Sequence, residues 1–425
     1  MKIHILAISG KMTAPLAIAL KNQGHIVTGS DQDKIYPPFS TQLSQAKIPI
    51  NPDSINPDLY IIGSGFANQT KLKSEFEVIK KSKIPYISAT EYIAKNLIKA
   101  NSILVAGSFG KSTITAMLVF LLKDTKYNPS YMFGANPINK FSSLSFTNSN
   151  WSVCEADESI NGLDTKAKFL YYPVKYLILT SATWEHKESY KTKKDNLSAY
   201  KNLILNIPND GLLVYNSNEL SIKPLLKFAK CKVISYNTAS IKHPLLFGKA
   251  FENNFAAVKA LCDYLKVKIE NISKFKGLKN RLELTANKKN ILFYTDFAQS
   301  APRISATISA LKTQYKNRKI YVILNPRAGF LQYKKSILEL TNSFNSVTHI
   351  YLTKLSFTKN LSKSARVSFT DYKSVFGGKI SYLPMSNDLI NTVTKSLKSG
   401  DILIQFSSGS LDGYRDFQKI IKSYT

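Results

Sequence analysis

The chain has 425 residues, of which 44% are hydrophobic and 20% are charged, a composition typical of globular proteins with more than one core. No apolar run is long enough to cross a membrane, and the first residues enter a strand rather than a signal peptide, so we expect a cytoplasmic protein without membrane insertion. The three cysteines are far apart and lack metal-ligand spacing, which favours a reducing compartment.

The formal net charge of +30 raises the question of nucleic-acid binding. Arginines are few, the lysines are spread along the whole chain, and no segment interleaves basic and aromatic residues as a recognition module does. We therefore expect no nucleic-acid partner, although a basic surface attracts anionic ligands such as nucleotides.

The first hundred residues alternate strands with helices. Strands are predicted at 3–8, 24–31, 59–64 and 84–87, a pattern that indicates a Rossmann-like parallel sheet. The first turn contains one glycine, Gly10, where a dinucleotide fingerprint needs three, so it is a poor NAD site. Ser30 and Asp31 end the second strand and Ser64 ends the third. Ser30 and Asp31 are candidates for holding a ribose, and a turn-forming role for them is an equal alternative.

The strongest single motif follows the apolar strand at 102–106 and precedes a mostly buried helix at 114–122. Strand, glycine-rich turn and helix form the context of a phosphate-binding loop, whose backbone N–H groups converge on phosphate oxygens. Lys111 is expected to face the surface and reach the terminal phosphates, and the Ser112 hydroxyl to ligate Mg²⁺. An ordinary strand-to-helix turn is the alternative. The loop residues are Gly107, Ser108, Phe109, Gly110, Lys111, Ser112 and Thr113.

Two later strands end in side chains that suit a divalent cation. The strand from 151 leads to Glu155, Asp157 and Glu158, and the strand at 176–181 is followed by His186. Ligands of open α/β sheets lie at the carboxyl ends of strands, so this edge collects Lys111, Ser112, Glu155 and His186. Mg²⁺ is the expected metal, held by Ser112, Glu155 and His186, because it bridges phosphate oxygens.

A new βα series begins near 291 and continues with strands at 319–324, 349–352 and 401–406. The chain is therefore predicted to be α/β with three domains. These are a Rossmann-like domain at 1–98, a central ATPase-like domain with a mostly parallel sheet at 99–286, and a smaller α/β domain at 287–425.

Six elements, in the same order along nearly the whole chain, resemble the Mur ligase family of peptidoglycan synthesis. The matching elements are the loop at 107–113, the acidic run at 155–159, the segment at 185–188, Asn254, Arg281 and the segment at 296–298. The resemblance implies an ATP-dependent ligase that converts a carboxylate to an acyl phosphate and closes an amide with an incoming amine, with little covalent help from the protein.

The resemblance also implies roles for particular residues. Lys111, Glu155 and His186 would be catalytic. Asn254, Arg281 and Asp296 would bind ATP together with the loop. The nucleotide-sugar substrate would lie near Gly10, Ser30, Asp31 and Ser64, and Arg327 would hold the amine substrate.

Within the family the chain looks closest to members that act on UDP-N-acetylmuramate itself and add a peptide. Addition of L-alanine is the alternative, and a drifted nucleotide-binding homologue without ligase activity is an alternative of another class. We expect a monomer or a homodimer. Several positions depart from the family pattern and leave the amine and the activity open, namely Ala250, Phe251, Asn280, Gln299, Ser300 and Ala328.

Overall fold

The computed structural model describes residues 1–184, 189–326, 329–357, 361–407 and 411–424. These residues form a four-stranded, a seven-stranded and a six-stranded sheet, each flanked by helices, which confirms the predicted α/β class. No helix in the described part of the chain has the length and apolarity needed to cross a membrane.

The first sheet is parallel throughout, with the strand order β2-β1-β3-β4. Its strands are β1 (Lys2–Leu6), β2 (Ile26–Ser30), β3 (Leu59–Ile62) and β4 (Tyr86–Ser88). Its helices are α1 (Thr13–Asn22), α2 (Phe39–Gln45), α3 (Thr70–Lys81) and α4 (Ala89–Asn96). The register pairs Leu6 with both Ser30 and Ile62, so β1, β2 and β3 end at one edge of the sheet.

The second sheet has the order β11-β10-β9-β5-β8-β6-β7, and only the β6–β7 pair is antiparallel. Its strands are β5 (Asn101–Ala106), β6 (Ser130–Met132), β7 (Leu144–Ser145), β8 (Trp151–Glu155), β9 (Tyr176–Leu179), β10 (Leu212–Asn216) and β11 (Lys232–Tyr236). The helices are α5 (Lys111–Leu122), α6 (Lys193–Leu205) and α7 (Lys249–Leu265). β5 lies between β8 and β9, so the segments that follow these three strands meet at one edge.

The third sheet has the order β12-β13-β17-β14-β15-β16, with one antiparallel pair, β12–β13. Its strands are β12 (Glu283–Lys288), β13 (Ile291–Asp296), β14 (Ile320–Asn325), β15 (His349–Leu352), β16 (Ile380–Tyr382) and β17 (Ile402–Ser407). Helices α8 (Ala301–Gln314), α9 (Phe369–Phe376), α10 (Ser386–Ser396) and α11 (Leu411–Lys422) flank it. Alternate residues of β13 enter two separate cores, as the two-residue period of a strand buried on both faces requires.

The chain packs as two compact units. The first comprises 1–241 and 252–276 and contains the first and second sheets, and the second comprises 242–251 and 277–425. The domain boundaries expected at 98 and 286 stay predictions.

Candidate active site

The phosphate-loop motif lies between β5 and α5, in the strand–loop–helix context that the sequence predicts. Gly107 has φ of 117° and Gly110 has φ of 79°, both in the region that favours glycine. A Cβ at Gly107 would lie 2.6 Å from the Ser181 backbone nitrogen, and one at Gly110 would lie 2.3 Å from Asn254 Oδ1. Both glycines are therefore required for this backbone path, and Asn254 lies directly against the loop.

The segment after β9 holds the loop in place. The Ser108 amide donates to Ser181 Oγ at 2.8 Å, and the Ser108 hydroxyl donates to the Thr183 carbonyl at 2.7 Å. Thr180 Oγ1 donates to the Phe109 carbonyl at 2.6 Å. The loop is thus anchored by protein contacts alone. The first-turn amides of α5, which no helix can satisfy internally, lie beside it as a site for an anion.

The sequence predicts that Lys111, the loop lysine, faces the surface. This prediction is wrong. The Lys111 side chain is 11% exposed, and its Nζ donates to the Gly107 carbonyl at 2.7 Å and to Glu158 Oε2 at 2.8 Å. Burial by itself lowers the pKa of Lys111, but the negative charges of Glu158, Glu155 and Asp157 outweigh this effect and raise the pKa above its ordinary value. The ammonium is therefore charged and held inside the loop.

Glu155 and Ser112 meet at the same edge of the sheet. Ser112 Oγ donates to Glu155 Oε2 at 2.7 Å, and the Gly134 amide donates to the same oxygen at 2.8 Å. The sequence predicts that these two side chains lie at the same carboxyl edge of the sheet, and the structure brings them together because β5 and β8 are parallel neighbours. The pair presents hydroxyl and carboxylate oxygens, the ligand type that Mg²⁺ prefers.

A second lysine–carboxylate pair lies next to the first. Lys168 Nζ donates to Asp157 Oδ2 at 2.9 Å and to Ser159 Oγ at 2.7 Å. Burial alone would raise the pKa of the Asp157 carboxyl, but Lys168 and Lys111 hold the pKa well below its ordinary value. Asp157 is therefore ionised.

His186 and Arg327, both predicted site residues, lie outside the described residues, as do the rest of segment 185–188 and Ala328. Within the described ranges, no group of three or more His, Cys, Asp and Glu side chains is arranged to hold a metal ion. The three-ligand magnesium site with His186 stays a prediction.

Three of the predicted substrate residues, Gly10, Ser30 and Asp31, lie at or just after the ends of strands in the first sheet, and their polar groups bind the protein itself. Asp31 Oδ2 accepts hydrogen bonds from the Ser9 amide at 2.7 Å and the Ser9 hydroxyl at 2.6 Å, and Oδ1 accepts from the Gln32 amide at 2.8 Å. The Gly10 amide donates to Thr13 Oγ1 at 3.0 Å. These contacts support the turn-forming alternative for Asp31, because its carboxylate fixes the turn that contains Gly10.

Ser30 and Ser64 have different surroundings. Ser30 is buried, and its hydroxyl contacts both His4 Nε2 and Glu75 Oε1. Ser64 begins a short 3₁₀ helix and lies against Gly162, where an added Cβ would be 3.1 Å from the Ser64 Cα. Ser64 is thus close to the segment that follows the acidic run after β8.

In the second unit, Asp296 ends β13 and binds the backbone around it. Its Oδ2 accepts from the Leu282 amide at 2.8 Å and Oδ1 from the Ala298 amide at 2.7 Å. Burial raises the pKa of Asp296, although Arg281 and these hydrogen bonds oppose the rise. Asp296 therefore holds the turn before β12.

Arg281 lies in that turn between two residues of positive φ, Asn280 at 57° and Leu282 at 43°. Its guanidinium lies 6.0 Å from the centre of the Phe297 ring. Within the described residues, the side-chain amide of Gln299 and the hydroxyl of Ser300 are buried without a hydrogen-bond partner.

Two further positions depart from the family pattern on α7. Ala250 is exposed, while Phe251 is buried with its ring edge against His243, at a centroid distance of 5.3 Å. Neither side chain offers a hydrogen bond to a nucleotide.

Glu158, which is not a predicted site residue, is the carboxylate that pairs with Lys111 in the structure. Its signal in the sequence is its position as the last carboxylate of the run that follows β8. Lys168 carries no comparable signal, because nothing in its spacing points to Asp157.

A glycine-rich loop between a central parallel strand and a helix, with a carboxylate from the neighbouring strand on its serine, defines a phosphate-loop nucleotide-binding protein. Residues 2–100 match the family model described as Mur ligase family, catalytic domain, and residues 105–281 match the Mur ligase middle domain. Together these matches cover well over half of the chain. The chain belongs to the Mur ligase family, whose members are ATP-dependent ligases.

Individual relatives agree with this assignment. The UDP-N-acetylmuramate–L-alanyl-gamma-D-glutamyl-meso-2,6-diaminoheptandioate ligase of Escherichia coli (strain K12) is 25% identical, covering 83% of this chain and 84% of the relative. The UDP-N-acetylmuramate–L-alanine ligase of Clostridium botulinum (strain Hall) is 25% identical over 96% of this chain and 95% of the relative. The crystal structure of the UDP-N-acetylmuramate–alanine ligase from Thermotoga maritima superposes with a TM-score of 0.77 at 19% identity, covering 100% of this chain and 99% of that chain.

Proposed function

We propose that this protein joins the amine of a peptide to the carboxylate of UDP-N-acetylmuramate, with hydrolysis of ATP to ADP and phosphate. The observation that carries the proposal is the arrangement of one phosphate loop in a chain of the Mur ligase family, with Lys111 held by the Gly107 carbonyl and Ser112 in contact with Glu155. The similarity to the Escherichia coli relative, whose name specifies a peptide substrate, supports the peptide as the amine.

The chemistry requires activation because a carboxylate is a poor acyl donor to an amine. One carboxylate oxygen attacks the γ-phosphorus of ATP, the bond to the β-phosphate oxygen breaks, and an acyl phosphate and ADP form. The amine then attacks the acyl carbon and loses a proton, and the phosphate leaves with the oxygen that joined it to carbon. The protein contributes position and charge in both steps.

Lys111 has the role of placing positive charge beside the transferring phosphoryl group. Its Nζ is already oriented by the Gly107 carbonyl, so it is within the loop that would surround the β- and γ-phosphates. The amides at the start of α5 add fixed partial positive charge to the same place.

Mg²⁺ fits the residues at this edge of the sheet. Ser112 Oγ and Glu155 Oε2 are hard oxygen donors in contact with each other, and His186 is the third expected ligand. When bound, the ion neutralises phosphate charge and polarises the phosphorus–oxygen bonds. Glu155 is half-buried, so its carboxylate is still reached by solvent and can be reached by a hydrated ion.

L-alanine is the second candidate amine, and the similarity to the Clostridium botulinum relative favours it. L-alanine and the tripeptide differ in the carboxylates that the protein has to bind. Arg327 is the residue proposed to bind a carboxylate of the amine substrate. A guanidinium binds a carboxylate through two parallel hydrogen bonds.

An amine panel tests the proposal. Purified protein is incubated with ATP, Mg²⁺, UDP-N-acetylmuramate and either L-alanine, L-serine, glycine or the tripeptide L-alanyl-γ-D-glutamyl-meso-diaminopimelate, and the products are identified by mass spectrometry. We expect amide formation with the tripeptide and little with free amino acids. Preference for L-alanine contradicts the peptide assignment, and no product with any amine favours a drifted nucleotide-binding homologue.

A further inference from the structure

Glu158 forms a buried ion pair that the proposed reaction does not use. Its side chain is 2% exposed, and Oε2 lies 2.8 Å from Lys111 Nζ. Glu158 follows β8 and Lys111 begins α5, so the contact links the segment after a strand to the start of a helix. The charge of Lys111 is thus largely compensated before any phosphate arrives.

The backbone of Glu158 is held beside the loop by its surroundings. The buried Tyr190 hydroxyl donates to the Glu158 backbone carbonyl, and the Trp184 indole nitrogen donates to the Tyr190 carbonyl at 3.1 Å. The position of Glu158 along the chain is therefore fixed close to Lys111.

The described charged side chains around the loop form two lysine–carboxylate pairs, and one carboxylate, Glu155, lies outside these pairs. Lys111 pairs with Glu158, and Lys168 pairs with Asp157. Among the side chains that the structure describes, Glu155 has no lysine or arginine at salt-bridge distance, and its Oε2 accepts only from a hydroxyl and an amide. Within the described residues, these two lysines and three carboxylates sum to a charge of −1, and Glu155, which contacts Ser112, is the carboxylate outside the two pairs.

We propose that Glu158 is a positioning residue that makes nucleotide binding at the phosphate loop depend on Mg²⁺, by compensating the charge of Lys111 until a metal-bound phosphate takes its place. The inference deepens the proposed function and rests on it. A polyphosphate without metal meets a cluster that is already negative, and like charges in a partly buried site oppose binding. A divalent cation held by Ser112 and Glu155 would reverse the sign of that interaction.

The proposal predicts a specific effect of removing the Glu158 charge. In the Glu158→Gln variant Lys111 keeps its place beside the Gly107 carbonyl but has no carboxylate partner. Metal-free ADP can then bind to the uncompensated positive charge of Lys111, and its affinity rises. ADP with Mg²⁺ gains much less, because the ion already supplies the charge.

The measurement is ADP binding by isothermal titration calorimetry, once in EDTA and once with MgCl₂. For Glu158→Gln we expect affinity in EDTA to rise about tenfold or more and affinity with Mg²⁺ to change by less than about threefold, the scale on which close charge pairs act. A merely structural role of Glu158 would lower both affinities together. An unchanged ratio of the two affinities overturns the proposal.

Two variants make the test specific. Asp157→Asn removes one negative charge from the same cluster but frees Lys168 rather than Lys111, and we expect a clearly smaller rise in EDTA. An equal rise in both variants contradicts the assignment to Glu158, because net charge alone would then explain it. If Glu158→Gln does not fold, Glu158→Asp weakens the pair by one methylene and must raise the affinity in EDTA, and an unchanged affinity overturns the proposal. Failure of the unmodified protein to bind ADP with Mg²⁺ contradicts the proposed function instead.

Discussion

Lys111 and Glu158 show how one pair of residues links stability to the nucleotide site. Both side chains are largely withdrawn from water, so each depends on the other for compensation of its charge. The surface-facing lysine expected from the sequence would have contributed charge without affecting the fold. The buried lysine that the structure shows affects both.

Lys111→Met is therefore expected to abolish ligation and also to destabilise the protein by about 3 kcal/mol, because it leaves the Glu158 carboxylate buried without a partner. Urea unfolding followed by circular dichroism measures the loss. The double variant Lys111→Met, Glu158→Gln removes both charges and should recover most of the stability without recovering activity.

Lys123→Met is the matched control for this prediction. Lys123 follows α5 directly, and its partner Asp124 is 81% exposed, so its removal should change the free energy of unfolding by less than about 1 kcal/mol. A loss for Lys111→Met no larger than that of Lys123→Met would show that the pair does not contribute to folding.

At the level of elements, the sequence predicts most of the strands that are buried on both faces. The runs that become β3, β5 and β13 each contain four consecutive apolar residues, as central parallel strands require. The buried strand β10 and the edge or short strands β6, β7, β11, β12 and β16 are missed, while the edge strands β2 and β4 are predicted. β11 and β12 are edge strands with many exposed residues, and β6 and β7 have three and two residues, so none of them shows a clear pattern.

The candidate site follows the same division. Convergence of Ser112 and Glu155 is predictable because parallel neighbours end at one edge. The Lys111–Glu158 and Lys168–Asp157 pairs are not, because side-chain direction after a strand end depends on loop geometry that spacing does not encode. The internal hydrogen bonds of Asp31 are hidden for the same reason.

Helix α3 is joined to the first sheet by a polar contact that predicts a pH dependence. Glu75 accepts a hydrogen bond from Ser30 of β2 and lies 3.7 Å from His4 Nε2 of β1. Burial by itself raises the pKa of the Glu75 carboxyl, but hydrogen bonding by His4 and Ser30 outweighs it and lowers the pKa below its ordinary value of 4.5.

A lowered pKa means that the ionised form stabilises the fold above the ordinary value, and that this contribution disappears as the pH falls through the folded-state pKa. Glu75→Gln should therefore cost about 1 kcal/mol near neutral pH and progressively less below pH 4.5, as urea unfolding at a series of pH values would measure. Glu77→Gln on the same helix is the control, because Glu77 is 60% exposed and pairs with Lys80 three residues on. A difference between Glu75→Gln and the unmodified protein that does not shrink in acid contradicts the assignment.

For the molecule as a whole, the net charge of +30 suits the negative charge of the proposed ligands. ATP and a nucleotide sugar are both anions, and a basic surface raises their rate of encounter in a salt-dependent way. The described charged side chains at the phosphate loop sum to a negative charge. In the proposal, this loop, and not the basic surface, makes nucleotide binding depend on the metal.

In the proposed reaction, ATP activates a substrate carboxylate by transferring a phosphoryl group to it. Transfer of ¹⁸O from that carboxylate to phosphate is the decisive measurement. UDP-N-acetylmuramate labelled with ¹⁸O in its muramoyl carboxylate is turned over with ATP, Mg²⁺ and the tripeptide, and the inorganic phosphate is examined by ³¹P nuclear magnetic resonance. An acyl phosphate requires that one labelled oxygen leaves with each phosphate and the other remains in the amide. Phosphate that forms at the same rate without label would contradict the account.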